Sequence, residues 1–294
     1  MTRIRANLLL LTSGAIWGMG FVAQSTAMEN IGPWLFIGLR FVLATLAMLP
    51  LALREARRSE TPLTPADWRA FMLTGLFFFA GMGAQQLGLQ TTSVTNAGFL
   101  TGLYVVFTPF LAIALFRQWP HPVIWPAAAL AMTGIWYLSG GRLESLTPGD
   151  WLTVLCALFW AMQVTLTGRY AASSGRPVAL AVTQFALSAV LGLAFAIAME
   201  PWDMAAIGLA APEILYAGVF AGGIAFTIQA VAQRHTTAPQ AAIFLSSEAV
   251  FAAILGALLL GERLGFQGYA GCALMLAAML AVEIVPAIKR RKPA

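Results

Sequence analysis

Long apolar stretches follow one another through this sequence with few interruptions. The hydrocarbon core of a bilayer is about 30 Å thick and needs roughly 20 apolar residues for each helix that crosses it. Ten stretches approach this length: 6–28, 33–53, 67–90, 95–116, 123–138, 149–171, 178–199, 212–233, 239–260 and 265–288. We number them segments one to ten. The sequence therefore predicts an all-α integral membrane protein with ten transmembrane helices.

The charge content agrees with lipid as the solvent. Hydrophobic residues make up 60% of the chain and charged residues 10%. An average soluble domain is about 45–50% hydrophobic and about 25% charged. The net charge of +5 would suggest nucleic acid in a soluble protein, but here the basic residues flank the apolar segments. Membrane lipid is therefore the expected surrounding, and no nucleic-acid partner is expected.

Lysine and arginine also predict the orientation, because they concentrate on the cytoplasmic side of membrane proteins. With a cytoplasmic N-terminus, 14 of the 17 basic residues lie at cytoplasmic ends of segments. Arg142 and Arg263 lie on the opposite side, and Arg40 lies inside segment two. We therefore expect a multi-pass protein of the bacterial inner (plasma) membrane with both termini in the cytoplasm.

The two halves of the chain resemble each other at a spacing of 143 residues, which relates Trp17 to Trp160 and Gln86 to Gln229. Five spans per half is an odd number, so the second half would enter the membrane from the opposite side. Many secondary transporters have such inverted repeats, with a substrate site near the midplane. We predict two inverted five-helix repeats, 1–144 and 145–294, around a central cavity. An ancient duplication in a membrane enzyme or channel is the alternative.

Several side chains are candidates for lining this cavity. Trp17 and Trp160 lie near the middle of their segments, although tryptophan prefers the interface, so they predict either a cavity wall or helix packing. Glutamines inside a membrane face protein or water, so Gln86, Gln163 and Gln229 would either orient a polar solute or bond neighbouring helices.

Glu248 is the only acidic residue at its depth in segment nine, two residues after Ser246. It would take up a proton, bind a substrate ammonium or form a structural hydrogen bond. Arg40 would bind a carboxylate through its planar fork, but snorkelling to the interface or bonding helix-end carbonyls is the preferred interpretation. Pro109 is expected to interrupt segment four near Tyr104, either by freeing a carbonyl that can line a cavity or by a simple kink of the helix.

The sequence lacks the common enzyme signatures HExxH, GxxxxGK[ST] and GxSxG. It also has no cluster of histidine, cysteine and carboxylate residues suited to a metal. We therefore expect neither an enzyme nor a bound cofactor or metal.

Four motifs resemble the EamA family of the drug/metabolite transporter superfamily. They are Ala15-Ile16-Trp17-Gly18, Leu39-Arg40-Phe41, the run 246–253 that begins Ser246-Ser247-Glu248, and the run 258–264 that contains Gly261-Glu262. Ala249 stands where such proteins commonly have proline. The resemblance implies two inverted five-helix halves, a cavity lined by segments one, three, four, six, eight and nine, and export of small metabolites. YddG-type amino-acid exporters are the expected group within the family.

The leading hypothesis is a secondary transporter that exports amino acids, including aromatic ones, by alternating access. It would work as a monomer on a small-molecule substrate. The alternatives are a multidrug or lipophilic-cation exporter of the same fold, and a membrane enzyme or channel. The expected substrate-binding residues are Trp17, Gln86, Tyr104, Trp160, Gln163, Gln229, Phe244, Ser246 and Glu248.

Overall fold

All ten apolar segments contain helix in the computed structural model, which describes residues 1–92, 94–138, 147–259 and 265–291. Arg142 and the Gly261-Glu262-Arg263 sequence lie outside the described residues. The helices are α1 (Arg3–Ala27), α2 (Pro33–Arg58), α3 (Pro65–Gly88), α4 (Val94–Thr101), α5 (Tyr104–Phe116), α6 (Ile124–Leu138), α7 (Pro148–Ser174), α8 (Pro177–Met199), α9 (Met204–Leu209), α10 (Ala211–Leu215), a π-helix (Tyr216–Ala225), α11 (Phe226–Gln233), α12 (Ala238–Leu245), α13 (Glu248–Leu259) and α14 (Phe266–Arg291).

Seven helical stretches among the described residues are long and apolar enough to cross a bilayer. They are Pro33–Arg58, Pro65–Gly88, Ala97–Phe116, Pro148–Ser174, Pro177–Met199, Ala211–Gln233 and Phe266–Pro286. The chain is therefore a multi-pass membrane protein. The α-helix of segment five has 15 residues, and segment nine is divided into helices of 8 and 12 residues, all shorter than the roughly 20 that a full span needs. The count of ten spans stays a prediction.

Helices α2 and α8 are antiparallel and cap each other at both ends. Glu200 follows the end of α8, and its two carboxylate oxygens accept from the backbone N–H groups of Trp34 and Leu35 at 2.9 and 2.8 Å. Glu55 near the end of α2 accepts in the same way from two N–H groups in the first turn of α8, at 3.1 and 2.9 Å. Free N–H groups at a helix start favour a negative partner. Each helix therefore begins where the other ends.

Glycine allows these two helices to approach closely midway along their length. A Cβ atom at Gly192 would lie 2.7 Å from the backbone nitrogen of Gly38. No larger residue fits at position 192 without separating the helices, so the pair forms a tight central packing seam.

Segments four and nine are both broken, at related positions. A two-residue turn interrupts the α-helix at 102–103 between α4 and α5, and another does so at 246–247 between α12 and α13. Tyr104 and Glu248, which are 144 residues apart, are the first residues of the second helix in each pair. Pro109 was the expected interruption, but it lies inside α5. The break in segment nine forms although Ala249 replaces the usual proline.

The π-helix in segment eight packs against α1 and α2. Its wider turn leaves backbone carbonyls available to side chains, and π-helices are frequent at functional sites. Trp17 Nε1 donates to the carbonyl of Ala221 at 2.9 Å, and Ser13 Oγ donates to that of Ala225 at 2.9 Å. On the other side, a Cβ atom at Gly218 would lie 2.8 Å from the carbonyl oxygen of Arg40. The π-helix is therefore held between α1 and α2.

A polar cluster joins the starts of α1 and α12 to α14 at one end of the bundle. Arg3 forms an ion pair with Glu283 at 3.5 Å, and Gln240 Nε2 donates to the same carboxylate at 3.2 Å. His235, in the loop between α11 and α12, has a pKa below its usual value because partial burial disfavours the charged ring, with the positive N-terminus and Arg234 adding to the effect. The N-terminus and the α11–α12 loop therefore lie at the same end.

Candidate functional site

A cavity lies where helices from the two halves of the chain meet. The empty space between its lining residues, including the part that opens to solvent, is about 580 Å³. α1 to α5 line it from the first half, and α7, the π-helix and α11 to α13 line it from the second half. Segment two, which contains Arg40, thus joins the six segments that the family resemblance implies.

The structure brings six of the nine expected substrate-binding residues to this cavity. They come from five different helices, so the grouping depends on the tertiary fold. They are Trp17, Tyr104, Trp160, Gln163, Gln229 and Glu248.

The other three expected residues lie away from the cavity. Gln86 is fully buried, and its Nε2 donates to the backbone carbonyl of Gln24 at 3.4 Å. Phe244 packs in the hydrophobic core, 5% exposed. Ser246 Oγ donates to the carbonyl of Ile243 at 2.8 Å at the end of α12. These side chains satisfy helix contacts, and sequence spacing alone does not distinguish such a contact from a cavity position.

Phe226 joins the two repeat-related tryptophans into one aromatic wall. Its ring centroid lies 4.4 Å from that of Trp17 and 5.5 Å from that of Trp160, the latter in a stacked arrangement with an interplanar angle of 10°. Phe226 was not among the residues expected from the sequence. It lies three residues before Gln229, and residues three apart share a helix face, so this spacing was the available signal.

Glutamines connect α7, α8 and α11 beside this wall. Gln163 Nε2 donates to Gln184 Oε1 at 2.9 Å, and Gln229 Nε2 donates to Gln163 Oε1 at 3.2 Å and to Gln233 Oε1 at 2.9 Å. These amides therefore bond helices to one another. Gln229 Oε1 is buried and has no partner among the described residues, so one acceptor remains at the cavity.

Arg40 is buried, which corrects the preferred expectation that it snorkels or bonds helix-end carbonyls. The side chain is 2% exposed and lines the cavity. Its Nη2 donates only to the sulfur of Met82, at 3.5 Å, while Nε and Nη1 have no partner in the described part of the chain. The guanidinium lies 4.7 Å from the ring centroid of Phe41 and 5.4 Å from that of Phe36, so aromatic faces position it.

Glu248 begins α13 and is partly buried at the cavity. Its carboxylate forms no hydrogen bond or ion pair with any residue that the structure describes. α1 packs tightly against the preceding break, since a Cβ atom at Gly14 would lie 2.3 Å from Ser247 Oγ. The cavity thus contains one acidic and one basic side chain, each without a protein counter-ion in the described ranges.

No group of three histidine, cysteine or carboxylate residues suited to a metal occurs within residues 1–92, 94–138, 147–259 and 265–291. Charge in the described cavity lining comes from Arg40 and Glu248.

Comparisons with known proteins place the chain among membrane transporters. The sequence profile of the EamA-like transporter family matches twice, over residues 4–140 and 147–283. A protein of Archaeoglobus fulgidus named an uncharacterized transporter is 29% identical over 283 residues, covering 96% of this chain and 87% of that relative. The uncharacterized transporter YwfM of Bacillus subtilis is 27% identical, covering 95% and 94%. One crystal structure superposes with a TM-score of 0.82 at 17% identity over 99% of this chain and 100% of its own, which shows a shared fold.

Proposed function

Since the chain belongs to the EamA-like transporter family, we propose that it is a secondary transporter that exports amino acids, including aromatic ones, by alternating access. Transport, and not enzymatic chemistry, is the general function that goes with membership of this family. The amino-acid substrate and the direction of transport are parts of the proposal.

One observation carries the proposal: an aromatic wall and a carboxylate share a cavity between the two halves. Trp17, Phe226 and Trp160 offer flat apolar faces to an aromatic or aliphatic side chain. Glu248 offers a counter-charge to an ammonium group in the same space. The free acceptor on Gln229 adds a polar contact that orients the ligand.

The proposed mechanism has ten transmembrane helices in two inverted halves, 1–144 and 145–294, that rock against each other. The two profile matches begin 143 residues apart, which supports a repeat with a boundary near these positions. The antiparallel arrangement of α2 and α8, whose segments occupy related positions in the two halves, supports inversion. Discontinuous helices at a midplane site are typical of such transporters, and segments four and nine supply them.

The proposed location is the bacterial inner membrane, with both termini cytoplasmic and a monomer as the functional unit. The unequal distribution of basic residues supports this orientation. The polar cluster around Glu283, which joins the first residue of α1 to α14, agrees with termini on one side. A monomer suffices because one chain contributes every helix around the cavity.

Transport in liposomes tests the proposal. The purified protein is reconstituted, and efflux of a panel of radiolabelled amino acids is measured with and without a pH gradient. Trp17→Ala should lower flux about tenfold, because it removes an indole face worth roughly 1–3 kcal/mol. Trp151→Ala, at a tryptophan that is 61% exposed at the start of α7, is the matched control and should keep wild-type flux. Absence of amino-acid efflux above that of empty liposomes refutes the substrate assignment.

A second candidate is export of lipophilic cations. The aromatic faces and Glu248 also suit such ligands. Under this alternative, the protein moves tetraphenylphosphonium in the same liposomes, and Glu248→Gln abolishes that flux. Movement of the cation without movement of any amino acid favours the alternative.

A further inference from the structure

We infer that Arg40 forms a carboxylate-binding subsite in the cavity, so that together with Glu248 it selects substrates that carry both a carboxylate and an ammonium group. This inference rests on the proposed function and specifies the groups that the substrate must carry.

Arg40 is buried without a counter-ion among the described residues. An ionised side chain inside a protein normally pairs with an opposite charge or with several hydrogen-bond acceptors, because an unpaired buried charge is strongly destabilising. The Nε and Nη1 donors of Arg40 have no partner among the described residues, and Nη2 contacts only a thioether. Ionisable residues inside membrane segments commonly serve substrate pathways. Because Arg40 lines the cavity, the missing acceptor can come from a ligand.

A neutral residue occupies the position related to Arg40 in the other half of the chain. Arg40 and Gln184 each lie seven residues after the proline that begins their helix, Pro33 and Pro177. Gln184 is neutral and bonds Gln163 at 2.9 Å. The second half therefore has a hydrogen-bonded pair of neutral glutamines at this place, and the first half has the cation Arg40.

The residue related to Gln163 explains why this cation has no partner. Gln163 lies three residues after Trp160, and the residue three positions after Trp17 is Gly20. Gly20 has no side chain to offer a hydrogen bond, and it lines the cavity together with Arg40. The space that an amide fills in the second half is thus open to a ligand in the first half.

The charges in the cavity lining favour a carboxylate over other anions. Arg40 and Glu248 give the cavity lining a balanced charge, which suits a zwitterion, whereas a phosphate dianion would be repelled by the glutamate. Arginine binds carboxylates through paired N–H donors in a rigid plane. The rings of Phe41 and Phe36 fix that plane.

Three probes that share a phenyl ring test the inference by equilibrium binding to the purified full-length protein. L-phenylalanine has both charges, phenethylamine lacks the carboxylate, and 3-phenylpropionate lacks the ammonium. Arg40→Met should weaken binding of phenylalanine and 3-phenylpropionate by about 10- to 100-fold, as for the loss of a charge-assisted hydrogen bond, and leave phenethylamine unchanged. Glu248→Gln should weaken phenylalanine and phenethylamine and spare 3-phenylpropionate.

Two further measurements separate binding from structure. Arg69→Met makes the same chemical change at an exposed arginine and should leave all three affinities unchanged. The unfolding midpoint of Arg40→Met should equal or exceed that of the wild type, because replacing an unpaired buried charge by an apolar side chain relieves a desolvation penalty.

Equal weakening of all three probes by Arg40→Met would overturn the inference. If Arg40→Met does not fold, Arg40→Lys replaces it, because lysine keeps the positive charge but lacks the planar fork of N–H donors. An unchanged ratio of phenylalanine affinity to phenethylamine affinity in Arg40→Lys would also overturn the inference.

The outcomes distinguish this inference from the proposed function. Amino-acid flux with an unchanged affinity ratio in the Arg40 variants overturns the subsite and leaves the transport proposal intact. Binding of 3-phenylpropionate that depends on Arg40, without flux of any amino acid, retains the subsite and refutes the transport proposal. No binding of either carboxylate probe to the wild type counts against both.

Discussion

The contact between the π-helix and α2 predicts that Gly218→Ala destabilises the protein and impairs transport. An alanine methyl at this position would lie 2.8 Å from the carbonyl oxygen of Arg40 and 2.8 Å from Cβ of Leu43. Ordinary van der Waals contact begins at 3.4 Å, so the two helices must separate by about 0.6 Å. Neither neighbouring atom can rotate away, because one is backbone and the other is attached directly to it.

The expected loss of stability follows from two opposing effects. Overpacking a tight contact typically costs about 1–3 kcal/mol, and replacing glycine by alanine in a helix contributes up to roughly 1 kcal/mol in the other direction. We expect a net loss of about 1–2 kcal/mol in the free energy of unfolding. Because the strain falls on the backbone of Arg40, which lines the cavity, amino-acid flux should fall as well.

Denaturant titration in detergent micelles measures the stability, and the liposome assay measures the flux. Gly208→Ala is the matched control, since a Cβ atom there has no heavy atom within 4 Å, and it should be as stable as the wild type or slightly more so. If Gly218→Ala is as stable as Gly208→Ala and transports normally, the close packing of the π-helix against α2 is refuted.

Two further predictions concern the helix caps and the topology. Glu200→Ala should lower the free energy of unfolding by about 1–2 kcal/mol, because two backbone N–H groups at the start of α2 lose their acceptor. The control Glu29→Ala, at an exposed glutamate before the same helix, should have little effect on stability. Equal losses of stability in the two variants would contradict the capping role of Glu200. In intact cells, a membrane-impermeant maleimide should label Asp203→Cys and not Ser59→Cys, and labelling of the second would reverse the proposed orientation.

The positions of the helical segments could be predicted from the sequence because hydropathy over some 20 residues depends on local composition. The break at 102–103 could not, since an average over a whole segment hides a two-residue interruption, and Pro109 was the more obvious candidate. Pro109 is the sixth residue of α5, beyond the first four positions whose N–H groups lack an acceptor, so it removes one hydrogen bond to the preceding turn without ending the helix.

For the site, the sequence indicated which residues are candidates, but it did not indicate which side chains they contact. Trp17 and Glu248 could be singled out because tryptophan at mid-helix and an acid in lipid are each unusual. The burial of Arg40 could not be predicted, because it depends on Phe41 beside it and on a π-helix that begins 176 residues further along the chain. Side chains at the junction of two halves are determined by long-range packing, which spacing along one helix does not reveal.

The mutual capping of α2 and α8 has a consequence for how the cavity can open. Sliding one helix along the other would break the four hydrogen bonds accepted by Glu55 and Glu200, and the contact at Gly192 leaves no clearance between the two backbones. Helices α2 and α8 are therefore expected to stay in the same position relative to each other. In the alternating access proposed above, the two halves would therefore rock about the α2–α8 contact, and segments four and nine would bend at their interruptions.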